Sequence, residues 1–272
     1  MLSLAELVTI PAIAPSPLTA AMLEAALAGA GAIADLGGRH ERGRLTLKGA
    51  RDFQTAADIA SERAITAVLA ARFPDAAILG EEETAIAGTG RRFLIDPIDG
   101  TTNFAWGLPF FGICIALEED GETVAGVVLD PSFGEAFVAE KGRGAFRNGE
   151  RLHIDRTLAP HEALIGASLP VPGQVRSVEV ETYHRALRTV IDTAAGVRRL
   201  GSAALSLCAV AASRHDAFFE DSLSPLDYAA AALVVAEAGG IVTGFSGAPV
   251  DEGGAILAAN PALHPWLVSL FA

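Results

Sequence analysis

The sequence predicts an α+β protein, a layered sandwich of helices and two sheets. Three observations point there. Residues 111–118, 122–129 and 135–140 are apolar runs of strand length, and Glu119-Asp120-Gly121 between the first two is a turn, so they read as an antiparallel meander. Beyond residue 160 the pattern changes to strands alternating with helices. The chain has 272 residues, is 51% hydrophobic and has a mean hydropathy of +0.38, enough to bury a sizeable core.

The elements follow in order. Residues 19–36 are alanine-rich and helical, and Gly37-Gly38 ends that helix. Residues 44–48 alternate as a short strand. Thr55-Ala56-Ala57-Asp58 has the form of a capping box and opens a helix over 57–73, which Pro74 stops. Residues 77–79 and 93–95 are short strands. Phe93-Leu94-Ile95 has no polar residue until Asp96, so it reads as buried. Pro97 lacks an N–H and is expected to end that ladder. Asn148-Gly149 marks a turn after the meander. In the second half, strand 163–167 precedes a helix around 178–193, and strand 197–200 leads into helix 203–213. Strand 217–219 leads into helix 226–238, Gly239-Gly240 caps it, and 241–243 and 255–258 are the last strands. The change of character divides the chain into halves, 1–155 and 156–272, packed as one unit without a flexible linker.

Composition narrows the function. A net charge of −13 and a pI of about 4.8 argue against nucleic-acid or anionic-membrane binding. Cys114 and Cys208 sit singly in apolar runs and read as buried free thiols of a reducing compartment. The six histidines show no zinc-ligand spacing. Met1 to Glu6 lacks a basic region and a cleavage signature, and the most apolar stretches, 203–212 and 228–238, are too short to span a bilayer. A cytoplasmic protein is the expectation.

The acids carry the chemistry. Asp96 and Asp99 bracket a Pro/Gly turn at a strand end, and Glu81, Glu82 and Glu83 follow the strand 77–79. If those strands are neighbours, the acids converge at one sheet end. Two carboxylates about 4 Å apart repel by roughly 4 kcal/mol at an effective dielectric near 20, so a shared proton or a divalent cation is required. Asp227 opens a long apolar helix after Ser224-Pro225. An oxygen-only donor set suits Mg²⁺ or Mn²⁺. Gly100-Thr101-Thr102 adds amides at a helix start that can receive phosphate. Metal ions, phosphate-facing amides and a threonine hydroxyl together describe metal-assisted phosphoester hydrolysis.

Asp96-Pro97-Ile98-Asp99-Gly100-Thr101-Thr102-Asn103-Phe104 resembles the first signature of the inositol monophosphatase family of metal-dependent, lithium-sensitive phosphatases. Leu226-Asp227-Tyr228-Ala229-Ala230, running to Glu237-Ala238-Gly239-Gly240, resembles the second, and Gly80-Glu81-Glu82, Thr55 to Asp58, Gly201-Ser202-Ala203-Ala204 and Phe219-Glu220 match in order. The resemblance covers roughly residues 50–260. It implies a layered α-β-α-β-α sandwich and a homodimer. It implies a first metal held by Glu81, Asp96 and the Ile98 carbonyl, a second held by Asp96, Asp99 and Asp227, and a third held loosely through Glu81. Thr101, oriented by Asp58, would position the attacking water, and the Gly100 and Thr101 amides would receive the phosphate. Asp99, Ala203, Glu220 and Ser168 would face the substrate. Attack would be in-line, without a covalent enzyme intermediate. Leu226 departs from the tryptophan usual in the second signature, and residues 169–177 match no family pattern.

Plainer roles stand beside these. Asp58 and Asp227 fit the N3 position of capping boxes with Thr55 and Ser224, Ser202 fits a helix N-cap, and Glu82 and Glu83 fit solvated positions. Trp106 and Phe110 read as packing under the loop, and Gly142, Gly144 and Gly149 as turn glycines. The expected activity is hydrolysis of a small phosphorylated metabolite, inositol monophosphate first. Histidinol phosphate, sugar bisphosphates and nucleotide 3′-phosphates are the alternatives on the same scaffold. A non-catalytic regulatory binding protein is the reading from another class.

Overall fold

The computed structural model describes residues 13–36, 46–49, 52–154 and 159–272, with the backbone alone at 46–49, 52 and 53. Helix α1 (Pro17–Asp35) opens with Ser16 as N-cap, which accepts from the Thr19 N–H, and with Pro17 in its first turn. Strands β1 (Thr46–Gly49) and β2 (Asp52–Gln54) form a two-stranded sheet among the described residues. Helix α2 (Ala56–Arg72) starts at the Thr55 cap. The residues around the expected stop at Gly37-Gly38, the start of strand 44–48 and the expected division at 155 lie outside the described residues.

Eight strands form the large sheet: β3 (Ala77–Gly80), β4 (Ala85–Ile86), β5 (Arg91–Asp99), β6 (Gly112–Glu119), β7 (Glu122–Asp130), β8 (Glu135–Glu140), β9 (Gly144–Arg147) and β10 (Glu150–Arg151). Their order is β10-β9-β8-β7-β6-β5-β3-β4. The meander is antiparallel throughout, while β3 lies parallel to β5. Asp120-Gly121 and Asn148-Gly149 make two-residue hairpin turns with both central residues at positive φ, the conformation asparagine, aspartate and glycine tolerate. The short helix α3 (Thr101–Trp106) leaves the end of β5.

The second half builds a five-stranded sheet from β11 (Leu164–Ala167), β12 (Gly196–Arg198), β13 (Ala217–Glu220), β14 (Ile241–Thr243) and β15 (Ile256–Ala259), in the order β12-β11-β13-β15-β14. Its helices are α4 (Val180–Thr193), α5 (Ala203–Ala211), α6 (Pro225–Glu237) and α7 (His264–Ser269).

The alternation of strand side chains creates the layers. Phe93 and Ile95 face Met22 and Leu23 of α1 and Ile65 and Leu69 of α2. Leu94 and Cys114 face the other way, onto Leu205 and Cys208 of α5 and Val234 of α6, and Phe218 and Ile256 of the small sheet close that core from beyond. Ile165, Phe219 and Leu257 pack on Tyr183 of α4 and Leu267 of α7. The result is an α-β-α-β-α sandwich. Helix α6 crosses β7 so closely that a Cβ at Gly126 would lie 2.6 Å from the Ala230 carbonyl oxygen. That crossing brings Asp227, in the first turn of α6, to the acidic end of β5.

One expectation fails: strand β5 does not end at Pro97. It continues to Asp99 through a bulge, since Asp96 pairs with Cys114 and Asp99 with Gly112, leaving Pro97 and Ile98 opposite one residue. The missing proline N–H falls where the ladder is already interrupted. Among the described residues, helix α1 is one element long and apolar enough to cross a membrane by length and composition, and 203–212 and 228–238 are not. Met22, Leu23, Ala25 and Ala26 on it are fully buried in the first core.

Candidate active site

The site is built where strand ends and helix starts meet. Strand β3 lies beside β5 in register, Gly80 opposite Ile95, so Glu81 emerges next to Asp96. The Glu81 N–H donates to the Ile95 carbonyl at 3.1 Å. Within the bulge, Asp96 Oδ1 accepts the Ile98 N–H at 3.0 Å. Burial raises the Asp96 carboxyl well above the usual carboxylate range, and Glu81, Asp99 and Asp227 push it further. Asp99 is pushed up to about 6, chiefly by burial. The bonds opposing that shift come from the start of α5: the Ser202 hydroxyl donates to Asp99 Oδ2, as does the Ala204 N–H at 2.7 Å, and the Ala203 N–H reaches Oδ1 at 3.2 Å. Asp227 is pushed up to about 8, first by burial and then by Asp99. Its Oδ2 accepts the Ser224 N–H at 2.7 Å, so the capping-box role is real and leaves the other oxygen over.

Burial and the neighbouring carboxylates thus raise the proton affinity of Asp96, Asp99 and Asp227, with Glu81 among those neighbours. Among the described residues, no three His, Cys, Asp or Glu side chains close into a preformed cage. Asp96, Asp99 and Asp227 each lean on backbone amides instead. The donor set is oxygen-only and mutually repulsive, with Asp96 and Asp99 buried, Asp227 half-buried and Glu81 exposed, which fits a hard divalent cation that a substrate can reach.

Beside the acids sits a second group. The Thr101 hydroxyl lies 3.0 Å from the Ile98 carbonyl and 3.2 Å from Asp58 Oδ1, with both as possible acceptors of its one proton. Asp58 Oδ2 accepts the Thr55 N–H at 2.7 Å and the Thr55 hydroxyl at 2.5 Å. Burial pushes Asp58 up to about 6 against those bonds. Asp58 therefore caps α2 and reaches Thr101 at once. Gly100 precedes α3 at φ 99°, a left-handed conformation, and a Cβ there would meet the Gly201 and Phe110 carbonyl oxygens at 3.1 and 3.2 Å. No side chain caps α3, so Gly100 and Thr101 keep their amides free of a capping oxygen.

The small sheet supplies the opposite wall. Glu220 ends β13 and Ser168 follows the parallel β11. Glu220 is pushed up to about 7, first by burial, and Asp99 adds to the rise while Ser168 and Arg199 oppose it. The Ser168 hydroxyl is buried beside that carboxyl without a fully formed hydrogen bond. Ala203 enters through its N–H on Asp99. The plainer readings also resolve: Ser202 is the N-cap of α5, and Glu83 is exposed and paired with Arg63 at 2.7 Å. Glu82 accepts from Gln54 and lies near Asp58. Phe110 packs against the middle core, and Trp106 is 36% exposed.

Three residues at the site escape a reading from sequence. Glu62, 1% exposed, accepts the N–H groups of Glu82, Glu83 and Thr84 at 2.7, 2.8 and 2.7 Å and so shapes the loop that bears Glu81. Gly80 leaves room for it, since a Cβ there would lie 2.3 Å from the carboxyl. The signal was present: Glu62 stands four residues after Asp58, on the same helix face. Asn103 donates to the Phe110 and Leu200 carbonyls, both at 2.7 Å, tying α3 to the segment before α5. Gln174, in the stretch 169–177, donates to Glu220 at 3.0 Å, and no local pattern announces it.

Comparison with known proteins agrees with this geometry. The model of the inositol monophosphatase family matches residues 14–272. The chain is 42% identical over 219 residues to a Nus factor SuhB of Pseudomonas aeruginosa, covering 78% of this chain and 80% of that one. It is 37% identical over 254 residues to an inositol-1-monophosphatase of Mesorhizobium japonicum, covering 92% and 94%. Among solved structures, the extragenic suppressor protein suhB from Bartonella henselae superposes with a TM-score of 0.88 at 37% identity, over 94% of this chain and 98% of that one. Inositol monophosphatase from Anabaena superposes at 0.77 with 30% identity, over 93% and 94%. A family match from near the start of the chain to its last residue, on a sandwich that gathers the acids of both signatures, has one meaning: this chain belongs to the inositol monophosphatase family.

Proposed function

We propose that the chain is a cytoplasmic, Mg²⁺-dependent phosphomonoesterase that hydrolyses inositol monophosphate and works as a homodimer. The observation that carries the reading is the convergence of Glu81, Asp96, Asp99 and Asp227 beside the Thr101–Asp58 pair. Glu81, Asp96 and the Ile98 carbonyl would hold one cation, Asp96, Asp99 and Asp227 a second, and Glu81 would help a third through water. Mn²⁺ is a chemically reasonable substitute. When bound, the cations supply charge stabilisation and a hydroxide at neutral pH.

The chain's own residues supply the geometry. With its proton directed to Asp58 or Ile98, the Thr101 oxygen keeps lone pairs to accept a hydrogen from water, which orients that water for in-line attack. The Gly100 and Thr101 amides would receive the phosphate. Glu220, Ser168 and Ala203 would face the leaving alcohol. The name Nus factor, borne by a relative, suggests a second reading, a binding protein on the same scaffold. Retention of all the acids favours catalysis, and the net charge of −13 favours a small phosphorylated metabolite over nucleic acid as the partner.

The test is phosphate release by protein stripped with chelator and reloaded with Mg²⁺. Inositol 1-phosphate should be turned over at least about tenfold better than histidinol phosphate, a sugar bisphosphate or a nucleotide 3′-phosphate, a gap of about 1.4 kcal/mol. Equal, feeble turnover on all four would overturn the substrate assignment. No turnover with Mg²⁺, together with tight capture of a protein partner, would favour the binding reading.

A further inference from the structure

The wall around Glu220 contains a device of this chain's own. Residues 169–177 form a strap that leaves β11 after Ser168 and returns along the end of β13. Asp221, 1% exposed, holds its far end by accepting the Arg176 and Ser177 N–H groups at 2.9 and 3.0 Å and the Ser177 hydroxyl at 2.7 Å. Ser222 donates to the Gln174 carbonyl at 2.5 Å. Inside the strap, the Gln174 N–H donates to the Val171 carbonyl at 3.0 Å, and Gln174 Oε1 accepts the Val171 N–H at 3.2 Å. Both ends of the residue are therefore fixed.

This closed turn determines which way the amide points. A backbone N–H can bond only the side-chain oxygen, so the NH₂ group faces away from the turn, and it meets Glu220 Oε1 at 3.0 Å. A Glu220 carboxyl with one oxygen held by Gln174 cannot rotate freely. The buried Ser168 hydroxyl stands beside it.

Resting on the phosphomonoesterase reading above, we propose that Gln174 is a specificity-determining positioning residue: it holds the Glu220 carboxyl in the orientation that accepts a hydroxyl of the substrate's alcohol portion. The chemistry selected is a leaving alcohol with further hydroxyls close to the ester oxygen. A flat aromatic alcohol makes no use of the arrangement, because it brings no donor to Glu220. A hydrogen bond to a charged group is strong enough for its loss to show as about a tenfold change in affinity.

The experiment uses the full chain with Mg²⁺ at pH 8 and two substrates, inositol 1-phosphate and p-nitrophenyl phosphate, which share the phosphate but not the hydroxyls. Gln174→Leu should lower kcat/KM for inositol 1-phosphate about tenfold through KM, with p-nitrophenyl phosphate within about twofold of the parent. Gln174→Glu keeps an acceptor for the Val171 N–H but offers Glu220 no amide, so it should not restore discrimination. Ser177→Ala removes one of three bonds to Asp221 but keeps both backbone anchors and the Gln174–Glu220 contact, so it should leave the ratio of the two substrates unchanged. An equal effect of Gln174→Leu on both substrates, no effect on either, or full rescue by Gln174→Glu would overturn the role of Gln174. Failure of the parent enzyme to turn over inositol 1-phosphate would instead sink the functional reading, and this inference with it.

Discussion

The two walls of the site are made in different ways. On the large-sheet side, Asp96, Ile98, Asp99, Gly100 and Thr101 come from one continuous segment, and Asp96 and Asp99 are oriented by backbone amides. On the small-sheet side, Glu220 and Ser168 stand on separate strands, and Glu220 is held by a glutamine from a strap that is itself anchored by Asp221. The turn after β5 gathers the amides proposed to face phosphate and two of the acids in six residues, and Glu81 and Asp227 join it from the end of β3 and the start of α6. The proposed recognition of the alcohol rests instead on long-range side-chain contacts, Gln174 to Glu220 and Ser177 to Asp221.

The largest expected effect lies on the acid side. Asp96→Asn removes a buried carboxyl that faces Glu81, Asp99 and Asp227 at once. Turnover of inositol 1-phosphate should fall by about a thousandfold or more, the equivalent of roughly 4 kcal/mol of lost charge stabilisation. Activity near that of the parent at ordinary Mg²⁺ would mean that the acids do not work as a set.

Thr101→Ala should come next. It leaves every carboxyl in place and removes the hydroxyl between Asp58 and Ile98. The expected loss is about 10- to 100-fold in kcat with little change in KM. A change confined to KM would assign Thr101 to substrate binding and not to the attacking water.

Glu62→Gln tests whether the loop bearing Glu81 depends on its support. The amide keeps one acceptor oxygen for three N–H donors and turns an NH₂ toward the rest. Leaving buried donors unpaired costs about 1–3 kcal/mol, so the melting temperature should drop by roughly 3–10 °C and Mg²⁺ affinity should weaken. Unaltered melting and Mg²⁺ binding would make the three bonds dispensable.

The smallest effect concerns pH. Asp227 at about 8 and Asp99 at about 6 are both raised above their unfolded value, so the folded metal-free chain binds more protons than the unfolded one between those values. Stability should therefore fall as pH rises from about 4 to about 8. Chelator-treated protein should melt a few degrees lower at pH 8 than at pH 5.5, and Mg²⁺ should restore more stability at the higher pH. Melting that is independent of pH in chelator would contradict the repulsion among the acids.

The contrast also explains what could be read from the chain. The meander, the two turns with positive φ and the convergence of Glu81 with Asp96 follow from local pattern, because strand alternation and turn chemistry act over a few residues. Pro97 misled because a proline usually interrupts a ladder, whereas here the bulge absorbs it and turns Asp96 and Asp99 toward one another. Glu62 was legible in principle, as an acid on the buried face of α2. Gln174 was not, since its partner lies forty-six residues away and nothing in the strap repeats a known pattern.

The most direct test of a cation site among buried, proton-loaded acids is calorimetric titration of the chelator-stripped protein with Mg²⁺ at pH 7, run in two buffers of different ionisation enthalpy. With Asp227 at about 8 before the metal arrives, binding should displace protons, so the observed heat should differ between buffers, and Asp96→Asn should reduce or abolish binding. Absence of saturable Mg²⁺ binding, or binding of equal heat in both buffers and unchanged in Asp96→Asn, would contradict the site.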